Sequence, residues 1–174
     1  LGQSFHFKHN DIVSCENALK RATEIVAKTG GGILLITEGV FGMTGALGIL
    51  DQIVELKKKY QFRILIDDAH GFGVMGPTGR GTSEHFGVMD EIDLYIGAYA
   101  KSMATIGGFV AGPKYVIDYL RYNMRSQMYA KSLPMPIVEG CLKRLEIIRS
   151  AEGDELRKKL WTVTRALQDG FRNL

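Results

Sequence analysis

Three side chains that could do chemistry follow two short apolar runs of this sequence. The run "RILID" ends at Asp67, with His70 shortly after it, and the run "DLYIG" is followed by Lys101. A carboxylate fixed at a strand end can hold a cationic group, and a lysine withdrawn from water becomes a usable amine nucleophile. Taken singly, each residue has an ordinary interpretation: a turn aspartate, a histidine bonded to the backbone and a solvated loop lysine. The chemistry therefore depends on a fold that brings the three together.

The elements that must position these residues alternate between strands and helices. Short apolar runs predict strands over 33–37, 63–67, 93–97 and 107–112, and helical spacing predicts helices over 11–28, 47–60, 113–126, 136–150 and 154–171. This order favours an α/β fold with a mostly parallel sheet and crossover helices. The first run, "ILLIT", is continuously apolar, which is typical of a strand buried on both faces. Because such sheets bind ligands beyond the carboxyl ends of their strands, we expect Glu38, Asp67, His70 and Lys101 along one edge.

A dinucleotide site is a weaker alternative for the same region. The segment "GFGVMG" (71–76) has the spacing of a dinucleotide-binding turn and follows a strand. In that motif the last glycine opens a helix, whereas here Pro77, Gly79 and Gly81 follow and no helical pattern begins. The acidic residue should also end the next strand, but Asp93 begins it. This interpretation is therefore disfavoured.

The combination of an acid, a histidine and a lysine suggests a site for pyridoxal 5′-phosphate. This cofactor needs a lysine that forms a Schiff base and an acid that keeps its pyridine nitrogen protonated. A histidine near the ring can orient the phenolic oxygen of the cofactor or a substrate carbonyl. Ala100, Ser102 and Met103 form a small, weakly polar surround for Lys101, so we expect this lysine to be withdrawn from water.

The sequence around these residues resembles the α-oxoamine synthases, a family of fold-type I pyridoxal phosphate enzymes. The resemblance rests on "IDDAHGFGVMGPTGRGTSEHFG" and "AKSMATIGGFVAG", and it extends to "TEGVFGMTG" and "SQMYAKSLPMP". It implies that Lys101 forms the Schiff base, that Asp67 faces the pyridine nitrogen, and that His70 lies near the cofactor O3′ and the incoming acyl group. It also implies that Ser132 reaches the cofactor phosphate across a subunit interface, so that a homodimer shares its active site.

Two stretches depart from the pattern of that family. Ala98 and Ala100 stand where the family usually has a threonine and a serine, which removes one expected phosphate contact. In "FGMTG", Gly42 and Thr44 replace the serine and aspartate of the usual "FSMDG". These departures bear on the affinity for the cofactor more than on the chemistry.

The resemblance implies an enzyme that condenses an amino acid with an acyl-CoA and releases CO2. The stretches "IGGFVAG" and "AKSLPMP" favour family members that join L-serine to a long-chain acyl-CoA, which gives 3-ketosphinganine for sphingolipid biosynthesis. Glycine with acetyl-CoA is the alternative substrate pair. A non-catalytic scaffold derived from the family is the alternative of another class, although such a scaffold need not keep Asp67, His70 and Lys101 together.

The same resemblance implies that the sequence is a fragment of the large domain of a fold-type I enzyme. Residues 1–150 are expected to form the central part of the cofactor-binding large domain. Residues 151–174 are expected to form a helix that leads towards a C-terminal domain. The chain would then hold less than half of a family subunit.

The composition argues against several other classes of function. The 22 basic and 19 acidic residues give a net charge of +3 without a long basic run, which does not indicate nucleic acid binding. Apolar runs fall short of a membrane span and nothing at the start resembles a signal peptide, so a cytoplasmic protein is expected. Cys15 and Cys141 lack the spacing of metal or redox sites, and no metal site is predicted.

Overall fold

A four-stranded mixed sheet forms the centre of the chain. The computed structural model describes residues 2–173. The strands are β1 (Leu34–Glu38), β2 (Arg63–Asp67), β3 (Leu94–Ala98) and β4 (Gly108–Ala111), in the order β1-β2-β3-β4. The first three strands are parallel and β4 is antiparallel to β3. The predicted α/β architecture with a mostly parallel sheet is therefore confirmed.

The described residues also form seven α-helices. They are α1 (Ile12–Thr29), α2 (Leu50–Glu55), α3 (Thr82–His85), α4 (Lys114–Asn123), α5 (Arg125–Tyr129), α6 (Met135–Ile148) and α7 (Ala151–Arg172). Asp11 caps α1 as its sequence position predicts, because its carboxylate accepts a 2.8 Å hydrogen bond from the Ser14 amide. Among the helices of residues 2–173, none combines the length and apolar character that crossing a bilayer requires.

Two predicted helices are shorter than the apolar spacing indicated. The helix predicted over 47–60 begins only at Leu50. Gly48 does not join the helix because its amide donates a hydrogen bond to the Gly39 carbonyl, just after β1. The helix also tightens into a 3₁₀ turn over Leu56–Lys58. The helix predicted over 113–126 is interrupted at Met124, whose extended backbone separates α4 from α5.

One face of the sheet carries the hydrophobic core. Cross-strand pairing places Leu35 beside Ile64 and Ile66 beside Tyr95, so these side chains share that face. Helices α1 and α2 pack on it through the cluster Cys15, Leu19, Leu35, Ile53, Leu56, Phe62 and Ile64. A second cluster joins α6 to β3 and β4 and contains Phe72, Met103, Cys141, Tyr95 and Phe109.

The opposite face of the sheet is more open at β1. Leu34 and Ile36 point to this face and are 49% and 59% exposed. The prediction that the first strand is buried on both faces is therefore wrong for the described residues, because α1 and α2 pack only on the face of Leu35. In the strand register, Asp67 lies beside Glu38 of β1 and Ile96 of β3. Its carboxylate therefore points to this open face.

Candidate active site

Asp67 lies at the carboxyl end of β2 beside a cleft of about 490 Å³. The cleft lies between the end of β1 and the N-terminal segment, and its lining includes Glu38, Phe41, His6 and His9. The Asp67 carboxylate is half-buried and accepts a 3.0 Å hydrogen bond from the Ala69 amide. No salt bridge joins it to another residue among 2–173. Its charge is therefore available to a cationic group that enters the cleft.

The N-terminal side of this cleft was not anticipated from the sequence. His9 packs edge-on against Phe41 with ring centroids 4.4 Å apart, and Asn10 donates a 2.8 Å hydrogen bond to the Leu47 carbonyl. These contacts hold the segment before α1 against the turn after β1. The aromatic and histidine residues of "SFHFKHND" were the available signal, but the segment lacks the periodicity that would have indicated its position.

His70 lies in the turn that follows β2 and packs against the turn after β1. A Cβ atom added at Gly42 would stand 2.5 Å from the Nε2 atom of His70, which is closer than real contacts allow. The imidazole therefore occupies the space that a side chain at residue 42 would need. Glycine at position 42, where the family usually has serine, removes a hydroxyl and also leaves the space that the imidazole of His70 occupies.

Lys101 lies in the loop that joins β3 to β4. Tyr99 donates a backbone hydrogen bond to the Gly107 carbonyl, and Ala104 donates one to the Lys101 carbonyl. Within this loop Met103 is the side chain that enters the core, at 1% exposure, whereas Lys101 is exposed. The expectation that Lys101 is withdrawn from water is therefore wrong for residues 2–173, because the loop buries Met103 and leaves Lys101, with Ala100, Ser102 and Ala104, exposed.

A hydrogen bond joins the Lys101 loop to the segment that follows His70. Ser102 donates through Oγ to the Phe72 carbonyl at 2.7 Å. Gly73 lies against the same hydroxyl, since an added Cβ there would be 2.5 Å from Ser102 Oγ. The structure thus ties together the two loops that carry the predicted histidine and lysine, at the ends of the neighbouring strands β2 and β3.

Ser132 lies in the non-helical segment between α5 and α6 and is exposed. Its neighbour Leu133 packs on the hairpin that carries Lys101, because a Cβ added at Gly107 would be 2.9 Å from Leu133 Cδ1. The segment therefore lies beside the β3–β4 hairpin. The role of Ser132 at a cofactor phosphate stays a prediction.

The glycine-rich segment 71–76 forms turns, and no helix begins at Gly76. Gly73 and Gly76 have φ angles of 79° and 80°, and the next helix, α3, starts only at Thr82. Helix α7 packs on the segment: Trp161 donates a 3.3 Å hydrogen bond to the Val74 carbonyl. The geometry that a dinucleotide pyrophosphate would need at this turn is not present.

Asp68 is a buried acid beside the candidate site that the sequence did not single out. It is fully buried, and its side chain points to the opposite side of the sheet from Asp67. Burial raises the pKa of Asp68 above its ordinary value, the charge of Asp67 adds to this rise, and hydrogen bonds from Thr82 and Tyr95 oppose it. The period-two alternation of β2 was the signal that Asp68 and Asp67 face different ways.

An acid and a histidine at the end of one parallel strand, with a lysine after the next, are the residue types that a pyridoxal phosphate site needs. The chain belongs to the family of class I and II aminotransferases, because the sequence model of that family matches residues 3–174.

Curated relatives and solved structures agree with this assignment. The chain is 57% identical over 172 residues to the cysteate-C-fatty acyltransferase of Capnocytophaga ochracea, which covers 99% of this chain and 40% of the relative. It is 37% identical over 174 residues to the serine palmitoyltransferase of Bacteriovorax stolpii, covering 100% of this chain and 40% of that protein. The structure of Sphingomonas wittichii serine palmitoyltransferase matches with a TM-score of 0.87 and 31% identity, over 96% of this chain and 40% of the other.

Other relatives place the chain among the α-oxoamine synthases. They include 8-amino-7-oxononanoate synthases, such as that of Petrotoga mobilis at 38% identity over 97% of this chain and 42% of the relative. A high-resolution structure of serine palmitoyltransferase with PLP also matches, at 31% identity and a TM-score of 0.87, over 96% of this chain and 40% of that one. The resemblance, the pyridoxal phosphate fold and the cofactor expected from the sequence are therefore confirmed. The chain spans about 40% of the length of the relatives that it matches.

Proposed function

We propose that this chain is the central part of a pyridoxal phosphate-dependent acyltransferase that joins an amino acid to a fatty acyl-CoA and releases CO2. The observation that carries the proposal is the position of Asp67 at a cleft at the end of β2 and of Lys101 in the loop after β3, a loop that the Ser102–Phe72 hydrogen bond joins to the segment after His70. Residues 1–150 then belong to the large domain, and residues 151–174 lead towards a C-terminal domain.

The residues of this site fit the cofactor by their chemistry: an acid at the cleft, a histidine in the adjoining turn and a lysine after the next strand. When bound, pyridoxal phosphate supplies an electron sink that stabilises negative charge at the Cα atom of an amino acid. Asp67 can hold a proton on a ring nitrogen, because its carboxylate faces the cleft and has no cationic partner among residues 2–173. The exposed Lys101 amine is free to take the covalent position and to accept a proton from a substrate Cα. His70 then orients the carbonyl of the acyl group.

The amino acid substrate that we favour is cysteate. The identity to the cysteate-C-fatty acyltransferase is 57% over 99% of this chain, against 37% and 38% for serine palmitoyltransferases. L-serine, expected from the sequence, stays the second candidate because the solved serine palmitoyltransferase superposes over 96% of the chain. In both cases the acyl donor is a long-chain acyl-CoA.

The experiment that tests this proposal uses the full-length protein that contains this chain. Purified enzyme is loaded with pyridoxal phosphate and supplied with palmitoyl-CoA and, in separate reactions, cysteate, L-serine or glycine, while CoA release is measured. We expect the largest kcat/KM with cysteate and none in Lys101→Ala. Lys114→Ala is the matched control, because Lys114 is an exposed lysine that pairs with Asp118 on α4.

Other outcomes of this experiment separate the remaining interpretations. A larger kcat/KM with L-serine would select the second candidate, and turnover only with glycine and acetyl-CoA would select the short-chain alternative. A protein that binds no pyridoxal phosphate and releases no CoA with any pair would be the non-catalytic scaffold.

We also propose that the enzyme is a homodimer whose subunits share the site. Support comes from Ser132, which is exposed on a segment that packs beside the Lys101 hairpin through Leu133. In a shared site this segment would complete the phosphate end of the neighbouring subunit. The test mixes an inactive Lys101→Ala subunit with a Ser132→Ala subunit. Recovery of activity in the mixed dimer, beyond that of either variant alone, is the expected result, and its absence would contradict a shared site.

A further inference from the structure

The carboxylate of Asp68 is the most enclosed charged group near the candidate site. Its side chain has no exposed surface, and it accepts three hydrogen bonds. The Thr82 amide and the Tyr95 hydroxyl donate to Oδ2 at 2.7 and 2.8 Å, and the Thr82 hydroxyl donates to Oδ1 at 2.8 Å. Burial and the charge of Asp68 raise the pKa of the Tyr95 hydroxyl far above its ordinary value, so that this group remains a donor.

Three glycines form a close cradle around the same carboxylate. A Cβ atom added at Gly39, Gly71 or Gly81 would stand 2.2, 2.1 or 1.9 Å from an oxygen of Asp68. These glycines belong to the end of β1, the turn after β2 and the start of α3. Together with Tyr95 on β3, four separate segments of the chain therefore converge on one side chain. No side chain larger than hydrogen fits at the three glycine positions while Asp68 keeps its place.

The backbone of Asp68 fixes the turn that carries His70. Its carbonyl accepts hydrogen bonds from the amides of Gly71 and Phe72, at 3.0 and 2.8 Å, and its amide donates to the Ile96 carbonyl on β3 at 2.9 Å. Asp67 precedes it directly, and the Ile96 that receives this bond is the pairing partner of Asp67. The backbone hydrogen bonds of Asp68 therefore fix both Asp67, which precedes it, and the turn that carries His70.

We propose that Asp68 is a positioning residue of the active site, whose buried carboxylate holds Asp67 and His70 in the geometry that binds the cofactor and the acyl group. The proposal rests on the function proposed above. Asp68 itself touches neither ligand, since it lies on the core side of the sheet, away from the cleft. A change at Asp68 must then act through the placement of its two neighbours.

The chain offers a matched control for a purely structural role. Asp93 is also a largely buried carboxylate, bonded to Arg63, Lys57 and the Ile64 amide, but it precedes β3 at the opposite end of the sheet. Asp68→Asn and Asp93→Asn each replace a carboxylate that accepts three hydrogen bonds, which come from neutral donors at Asp68 and from two cations and an amide at Asp93. Both variants are expected to unfold at a lower temperature than the wild type, but only Asp68→Asn is expected to disturb the site.

The test is made on the full-length protein, with three measurements for each variant. For Asp68→Asn we expect pyridoxal phosphate to bind about 10- to 100-fold more weakly, the loss typical when a residue that orients a metal ligand is removed. We also expect an altered visible spectrum of the bound cofactor and a shifted NMR resonance of the His70 imidazole in the unloaded protein. Asp93→Asn should leave all three at their wild-type values.

Equal effects of Asp68→Asn and Asp93→Asn on cofactor affinity, spectrum and His70 resonance would overturn the proposal. If Asp68→Asn does not fold, Tyr95→Phe replaces it, because it keeps the carboxylate and removes one donor. Tyr95→Phe should then change the affinity and the His70 resonance in the same direction by a smaller factor, and unchanged values would contradict the positioning role. A wild-type protein that binds no pyridoxal phosphate would refute the proposed function, while the His70 resonance of the unloaded protein would still decide the role of Asp68.

Discussion

Ser102 donates a 2.7 Å hydrogen bond to the carbonyl of Phe72, and this bond joins the loop that carries Lys101 to the segment that follows His70. The two residues are 30 positions apart in the chain, yet they lie next to each other at the ends of neighbouring strands. The bond sets how the lysine loop approaches the end of β2. Its removal should therefore affect the site beyond its small contribution to stability.

Ser102→Ala in the full-length protein should cost about 1 kcal/mol of unfolding free energy, the usual net value of one hydrogen bond. It should also slow the covalent attachment of the cofactor, because the Lys101 loop loses its fixed position. Ser150→Ala is the control, since Ser150 Oγ donates a 2.8 Å bond to the Ile147 carbonyl at the end of α6. Attachment rates that fall equally in both variants would show that the Ser102 bond has only a structural role.

Gly42→Ala should displace the imidazole of His70, because the new Cβ would stand 2.5 Å from Nε2. We expect a rise in the KM for acyl-CoA, because His70 would no longer orient the acyl carbonyl. Steady-state kinetics with a fixed amino acid measure this effect. Gly32→Ala is the matched control, as nothing lies within 4 Å of a Cβ at that position. An unaltered KM in Gly42→Ala would show that His70 moves aside without consequence.

Asp67→Asn should reduce the exchange of the substrate Cα proton by at least ~10²-fold, the low end of general acid–base effects. The physical reason is the loss of the negative charge that holds the ring nitrogen protonated. Exchange into deuterated water, followed by NMR, measures it directly. Glu38→Gln is the control, because Glu38 lies beside Asp67 in the strand register and lines the same cleft. Near-normal exchange in Asp67→Asn, with a loss in Glu38→Gln, would transfer the role to Glu38.

Asp93 should make the stability of the protein depend on pH at the acid end. Burial alone would raise the pKa of this carboxyl, but hydrogen bonds from Arg63, the Ile64 amide and Lys57 lower it below its ordinary value. A lowered folded-state pKa gives stability that is present above the unfolded pKa and is lost as the pH falls through the folded one. Asp93→Asn should therefore cost about 2 kcal/mol at neutral pH, as for hydrogen bonds to a charged group.

The cost of Asp93→Asn should begin to shrink below a pH of about 4, where the carboxyl of the unfolded chain becomes protonated, and should vanish once the pH falls through the lowered folded-state pKa. Urea unfolding at several pH values gives this difference. Glu155→Gln, which removes an exposed pair with Lys158, should show little cost at any of these pH values. A cost at Asp93 that stays constant from neutral to acid pH would contradict the assigned ion pairs.

The strands and their parallel order could be predicted because "RILID" and "DLYIG" are short apolar runs that alternate with helical patterns. The exposure of Leu34 and Ile36 could not, since the run "ILLIT" is apolar on both faces whether or not a layer covers each face. Whether a face of β1 is covered depends on where the helices pack, and no local sequence pattern indicates that α1 and α2 pack on the same face.

For the candidate site, residue type and strand order suggest Asp67, His70 and Lys101, and the roles of these residues stay predictions. The exposure of Lys101 was missed because its small neighbours suggested a buried lysine, whereas the loop buries Met103. Asp68 was missed because its partners, Thr82 and Tyr95, are 14 and 27 residues away and become neighbours only in the folded chain.

The measurement that tests the central claim most directly is the site of covalent cofactor attachment. The full-length protein is loaded with pyridoxal phosphate, reduced with borohydride, digested and mapped by mass spectrometry. We predict one modified peptide with the adduct on Lys101, lost in Lys101→Ala and kept in Lys114→Ala. An adduct on Lys131 or Lys114, or a wild-type protein that carries no adduct after reduction, would contradict the account.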